Sequence, residues 1–120
     1  MPQPTVPAQI DANIPRNQVA AIIHRLQLLN TVGLPAQLPT LAQSWLWAIG
    51  EEVTDGTNPT SLITREQCVT MLHRYHIGAS TTIAQSWRWA IDKGITDGTR
   101  PRDQISRQEA VTMLHRLSRL

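Results

Sequence analysis

Apolar side chains recur at helical spacing through most of the chain. Ala110, Met113, Leu114 and Leu117 stand at i, i+3, i+4 and i+7, and so do Cys68, Met71, Leu72 and Tyr75, and Val19, Ile22, Ile23 and Leu26. One helical face is therefore written three times. A different stripe, Leu41, Trp45, Ala48 and Ile49, returns as Ile83, Trp87, Ala90 and Ile91, with Val53 and Ile95 closing it. It predicts two further helices that bury Trp45 and Trp87. Trp47 and Trp89 lie two positions on, about 200° around the helix, and so point away from that stripe, towards a neighbouring copy or towards solvent.

The recurrence extends beyond the apolar positions. Residues 43–77, QSWLWAIGEEVTDGTNPTSLITREQCVTMLHRYHI, align without a gap on 85–119, QSWRWAIDKGITDGTRPRDQISRQEAVTMLHRLSR, a period of 42 residues. A partial copy comes first: Ile14-Pro15-Arg16-Asn17-Gln18 and the following VAAIIHRL match Ile63-Thr64-Arg65-Glu66-Gln67 and CVTMLHRY, with only the second helix present. Thr64 with Gln67 and Ser106 with Glu109 have capping-box spacing, and Pro15 suits a first turn. Between the helices, Thr54-Asp55-Gly56-Thr57-Asn58-Pro59 and Thr96-Asp97-Gly98-Thr99-Arg100-Pro101 demand turns, and no alternating pattern flanks them to make hairpins. The expected fold is all-α: tandem helix-loop-helix repeats, about two and a half copies. The half copy is 14–40 and the full copies are 41–77 and 83–120, together a repeat domain over 14–120.

Composition narrows the chemistry. The 120 residues are 41% hydrophobic and 17% charged, with four Trp and no Phe. The net charge is only +2, but the basic residues are ten Arg and one Lys, a bias towards planar, bidentate contacts with carboxylate or phosphate. A single cysteine, Cys68, rules out an internal disulfide framework and a multi-Cys zinc site. No basic n-region with an apolar core follows Met1, so no signal peptide is expected, and no apolar run reaches the length of a membrane span. Residues 1–13, MPQPTVPAQIDAN, hold three Pro and little apolar surface. They read as an extended arm that orders only on a partner, an anchor into a larger assembly.

The ordered set W-x-W-A-I, T-D-G-T-x-P, I-T/S-R and M-L-H-R, twice over at a fixed period, resembles the S-layer homology repeat. The likeness is greatest to the shortened variety in bacteriophage lysins and other phage proteins, and it covers 41–120 and part of 14–29. It implies a pseudo-threefold bundle whose grooves between copies bind anionic cell-wall polysaccharide, often pyruvylated. Carried over by position, the motif arginines are Arg65, Arg107 and Arg16. Asp55, Gly56 and Thr57, with Asp97, Gly98 and Thr99, become the adjacent loop walls, and Trp47 and Trp89 the sugar platforms. An Arg at a helix start would join free backbone N–H groups and the helix dipole in holding a carboxylate.

Other readings stand beside this one. T-R-E-Q and S-R-Q-E are explained equally by capping alone. The D-G-T loops lack the spaced acidic ligands that calcium needs. His24, His73 and His115, each followed by Arg, read as cations complementing a helix C-terminus, and the His73/His76 pair shows no further zinc ligands. Neither a nucleophile elbow nor a phosphate loop appears, and the dozen-residue connections are too long for a helix-turn-helix. The expectation is thus a non-catalytic structural or adhesion protein without cofactor, metal or nucleic-acid partner. Its setting would be a bacteriophage virion surface, with protein partners at residues 1–13 and at the uncovered face of the half copy, a possible homo-oligomer that displays its repeats towards host-surface glycan. The alternative is a wall-polysaccharide-binding module of a bacterial or phage lytic system, at the bacterial cell surface.

Overall fold

The computed structural model describes residues 12–33 and 35–120, and every regular element among them is a helix. These are α1 (Arg16–Thr31), α2 (Leu41–Gly50), α3 (Arg65–Ile77), α4 (Ile83–Asp92) and α5 (Arg107–Ser118). Most of the expected anchoring arm, residues 1–11, lies outside the described residues.

Local chemistry sets the helix starts. Thr64 and Ser106 cap α3 and α5 in full capping boxes with Gln67 and Glu109, as their spacing predicts. The same device starts α2 at Thr40 with Gln43 and α4 at Thr82 with Gln85. Pro15 sits one position earlier than expected: it is the N-cap of α1, extended and without a side-chain bond, and Arg16 opens the helix. Gly78, left-handed at φ 68°, ends α3 by donating its N–H to the Arg74 carbonyl.

Three short extended segments just before α1, α3 and α5 meet at the centre. The Ile14 N–H donates to the Ile105 carbonyl at 3.1 Å, the Ile105 N–H to Ile63 at 3.0 Å, and the Ile63 N–H to Ile14 at 3.2 Å. The three bonds close a ring, and all three side chains are buried beneath it. Around the ring each helix start receives the loop of another copy. Arg16 N–H donates to Ser61 O, Arg65 N–H to Asp103 O and Arg107 N–H to Ala12 O, while Asn17 and Glu66 donate to Pro59 and Pro101. Ala12 and Asn13, the end of the arm, are thereby fixed against the third copy of this same chain.

Below the ring α1, α3 and α5 contact one another, and their threefold-repeated face forms the core: Val19 and Ile23, Cys68, Met71 and Leu72, Ala110, Met113 and Leu117 are buried. The outer helices pack differently from the repeat unit read in the sequence. Helix α2 packs on α1, and α4 on α3, whereas the backbones of α2 and α3, the two helices of one copy, stay apart and Trp47 reaches Tyr75 across the gap, ring centroids 6.1 Å apart. The expected uncovered face of the half copy is therefore covered, by α2.

The stripe on the outer helices is also rotated from its expected position. Leu41, Ile49, Ile83 and Ile91 are exposed, while Ser44, Trp45 and Ala48, and Ser86 and Ala90, face inward; Trp87 is half-buried. Ile49 and Ile91 instead lie under the D-G-T turns, where a Cβ on Gly56 or Gly98 would come within 3.1 or 3.2 Å of their side chains. Both glycines are left-handed, at φ 85° and 83°, so the position requires glycine twice over.

The ring bonds lie at the junction of all three copies and can open only when the copies separate. Amide exchange at Ile14, Ile63 and Ile105 is expected to proceed by global unfolding, with opening free energies equal to that from urea denaturation. Exchange at any of the three that is faster by orders of magnitude would contradict a closed ring.

Candidate functional site

The motif arginines stand at the first position of α1, α3 and α5, and each reaches across a junction between copies. Arg65 is buried. It forms an ion pair with Glu109 of α5, lies 3.6 Å from Asp97, and donates from Nε to the Thr99 carbonyl at 3.2 Å and from Nη2 to the Thr96 hydroxyl at 3.4 Å. Arg107 donates to the Gln18 side chain of α1. Arg16 reaches the loop of the second copy, 3.9 Å from Asp55, with its side chain 19% exposed.

The loops that receive them are built alike. Asp55 Oδ1 accepts from the Thr57 N–H at 2.9 Å and the Thr57 hydroxyl at 2.7 Å, and Asp97 accepts from Thr99 at the same two distances. These bonds, from the Thr hydroxyl first and the amide second, hold both carboxyls below the usual range, helped by Arg16 and Arg74 at Asp55 and by Arg65 and Arg100 at Asp97. The following residues, Asn58 and Arg100, are left-handed at φ 51° and 52°.

Arginine and loop together line two grooves related by the repeat. The first, about 110 Å³, has Val53, Ile63 and Met71 as its floor and Arg16, Asp55, Gln67, Thr70 and Arg74 around it. The second, about 270 Å³, has Met113 below and Arg65, Asp97, Arg100, Glu109, Thr112 and Arg116 around it. The equivalent positions differ in charge. In the second groove Glu109 pairs with Arg65 and also lies 3.8 Å from Arg100, so these two cations already face carboxylates, while Arg116 donates to the Ile95 carbonyl at 3.1 Å. In the first, neutral Gln67 stands where Glu109 does and Asn58 where Arg100 does. Arg16 and Arg74 share one carboxylate there, although Arg74 also donates from Nε and Nη2 to the Thr81 carbonyl. The free helix-start N–H groups expected as extra donors are taken, because the loop carbonyls and capping side chains occupy them.

The tryptophans lie elsewhere, in the helix–helix seams. Trp47 of α2 stacks on His24 of α1, with ring centroids 4.4 Å apart and planes within 7°, and Trp89 of α4 stacks on His73 of α3 at 4.2 Å and 10°. Nδ1 of each histidine meets a buried serine of the same outer helix, Ser44 and Ser86, at 3.0 Å. Thr81 extends the second pair, its hydroxyl 2.7 Å from that of Ser86. One face of each indole is thus taken, and both rings are half-buried. Burial lowers the pKa of both histidines, and at His73 the neighbouring His76 lowers it further, so His24 and His73 work as neutral seam residues and not as cations complementing a helix end. The signal for this was the joint recurrence of His, Q-S-W and W-A in the sequence, which stripe counting passes over because serine is polar.

Cys68 is fully buried and its thiol is pushed up to about 12, chiefly by burial. No cluster of three metal-ligating side chains occurs among the described residues, and no helix there is long and apolar enough to cross a membrane.

Two outcomes follow. Arg65→Ala should cost about 2–4 kcal/mol of unfolding free energy in urea, since it removes a packed guanidinium together with its charge-assisted bonds to Glu109, Thr99 and Thr96, and Arg16→Ala under about 1 kcal/mol. Equal losses would contradict the difference in burial. The histidine shifts set the pH dependence: a folded pKa depressed from the ordinary 6.5 means that the unfolded chain binds more protons below that pH, so stability is full above it and falls as pH drops through the folded values. The melting temperature should decline below about pH 6.5 in the wild type and less steeply in His24→Gln/His73→Gln. In comparison with known proteins, no family model matches this chain, and no curated protein or solved structure is similar to it.

Proposed function

We propose that this chain is a non-catalytic adhesion module whose first groove holds an acidic sugar of a bacterial surface polysaccharide. The observation that carries it is the difference in ion pairing between two grooves of equal net charge. Their frames are the same, yet only the first sets two guanidinium groups, Arg16 and Arg74, against one carboxylate with no second acid nearby. Its floor of Val53, Ile63 and Met71 is apolar, as the C–H face of a pyranose requires, and Gln67 and Thr70 offer hydrogen bonds to hydroxyls. At about 110 Å³ it is smaller than the roughly 300–1,000 Å³ of sites that enclose a small molecule. That size suits one substituent of a polymer passing over the surface.

Arg65 and Arg107 are positioning residues in this reading. They fasten the copies together, and Trp47 and Trp89 fasten the outer helices. The resemblance to repeats of phage lysins and phage surface proteins supports a virion or lytic-system setting in which such adhesion would serve host contact.

The test is retention of purified, carboxylate-bearing wall polysaccharide on the immobilised chain. Wild type should retain it in a salt-sensitive way. Arg16→Ala and Arg74→Ala should each weaken binding about 10-fold or more, the loss expected for a charge-assisted hydrogen bond. Arg100→Ala, in the second groove, should leave it unchanged. No retention by the wild type, or equal retention by the Arg16 and Arg74 variants, would sink the assignment.

A further inference from the structure

Positions 20, 69 and 111 are the fifth residues after the caps Pro15, Thr64 and Ser106, and so are equivalent in α1, α3 and α5. Ala20 lies under α2 and Val69 under α4, and both are 0% exposed; Val111 is 47% exposed. The contrast continues along the helices. Ile23 and Leu72 are fully buried while Leu114 is only partly so, and His24 and His73 are stacked beneath tryptophan while His115 is exposed. Among the described residues α5 contacts α1 and α3 and no outer helix. Three inner helices thus present one face, and only two outer helices cover it.

We propose that the Val111–Leu114–His115 face of α5 is a docking site for an amphipathic helix of the α2 and α4 kind, supplied by another polypeptide. Its chemistry is fixed by the two covered faces. A serine must meet His115 Nδ1, as Ser44 and Ser86 meet His24 and His73 at 3.0 Å. Three residues on, a tryptophan must lie flat on the same imidazole, and the next residue must be as small as Ala48 or Ala90, both 0% exposed where the helices approach. The pattern is Ser-x-x-Trp-Ala on one helical face. Stacking and apolar burial, rather than charge, hold it in place.

The chain itself supplies the probe: a helix-constrained peptide of residues 80–94, which covers α4. Labelled and titrated with the intact protein, it should bind saturably with one site per chain, and the His115 ring protons should move upfield as they come under an indole. Val111→Asp in the protein, at an exposed position that leaves the fold intact by melting temperature, should weaken binding at least tenfold. So should Trp89→Ala or Ser86→Leu in the peptide. An absence of saturable binding, or binding that Val111→Asp leaves unchanged, would overturn the proposal. So would a wild-type dimer that Val111→Asp dissociates, since a second α5 would then be the cover, and so would binding that appears only once residues 1–11 are removed.

Discussion

Everything in this protein hangs from three backbone hydrogen bonds. Ile14, Ile105 and Ile63 each donate to the next and close a ring at the start of α1, α3 and α5. Extended backbone inside a helical protein has polar groups that must be paired, and with no sheet among the described residues these three segments find their partners in the other copies. The ring therefore brings the helix starts to one point, and the first N–H groups of each helix are satisfied by loops from elsewhere in the repeat. Both the arginine struts and the grooves follow from that convergence, because Arg16, Arg65 and Arg107 occupy the position next to the caps. Free helix starts, the expected anion-binding donors, are the one thing such a junction does not leave.

The helical class, the faces of α1, α3 and α5 and two of the capping boxes were legible in the sequence, because each rests on spacing within a single element. What was not legible depends on which elements meet. The outer helices pack on the inner helix that precedes them, so the folded pair straddles the unit seen in the sequence alignment. Ser44 and Ser86 look like surface residues until a histidine from that inner helix gives them a buried partner. Once serine is counted inside, the stripe turns and Leu41, Ile49, Ile83 and Ile91 fall outside. The candidate site divides in the same way. The loop and arginine residues do come together, since the loop of one copy leads straight into the ring, while spacing left Trp47 and Trp89 open between a neighbouring copy and solvent because their His partners lie on another helix.

The two grooves show how little is needed to give equivalent frames different chemistry. Gln67 against Glu109 and Asn58 against Arg100 are single changes at repeated positions, and neither disturbs the frame: both N3 residues complete a capping box, and both loop residues hold the same left-handed φ. One groove consequently ties Arg65 and Arg100 to Glu109, and the other leaves Arg16 and Arg74 a single carboxylate between them.

The spacing between copies is uneven. Helix α3 starts 49 residues after α1 (65 − 16), but α5 only 42 after α3 (107 − 65). Helix α1 has 16 residues to the 13 of α3, and nine residues instead of five join it to its outer helix, which accounts for all seven extra positions. The added length is thus confined to the end remote from the ring. Lengthening a surface connection costs little closure entropy, whereas a residue gained on the ring side would break the hydrogen-bond register. The fold thereby has a permissive rim and an intolerant hub, and the turn between α1 and α2 is the place where this scaffold could carry a grafted epitope, a tag or a second domain without losing its threefold closure.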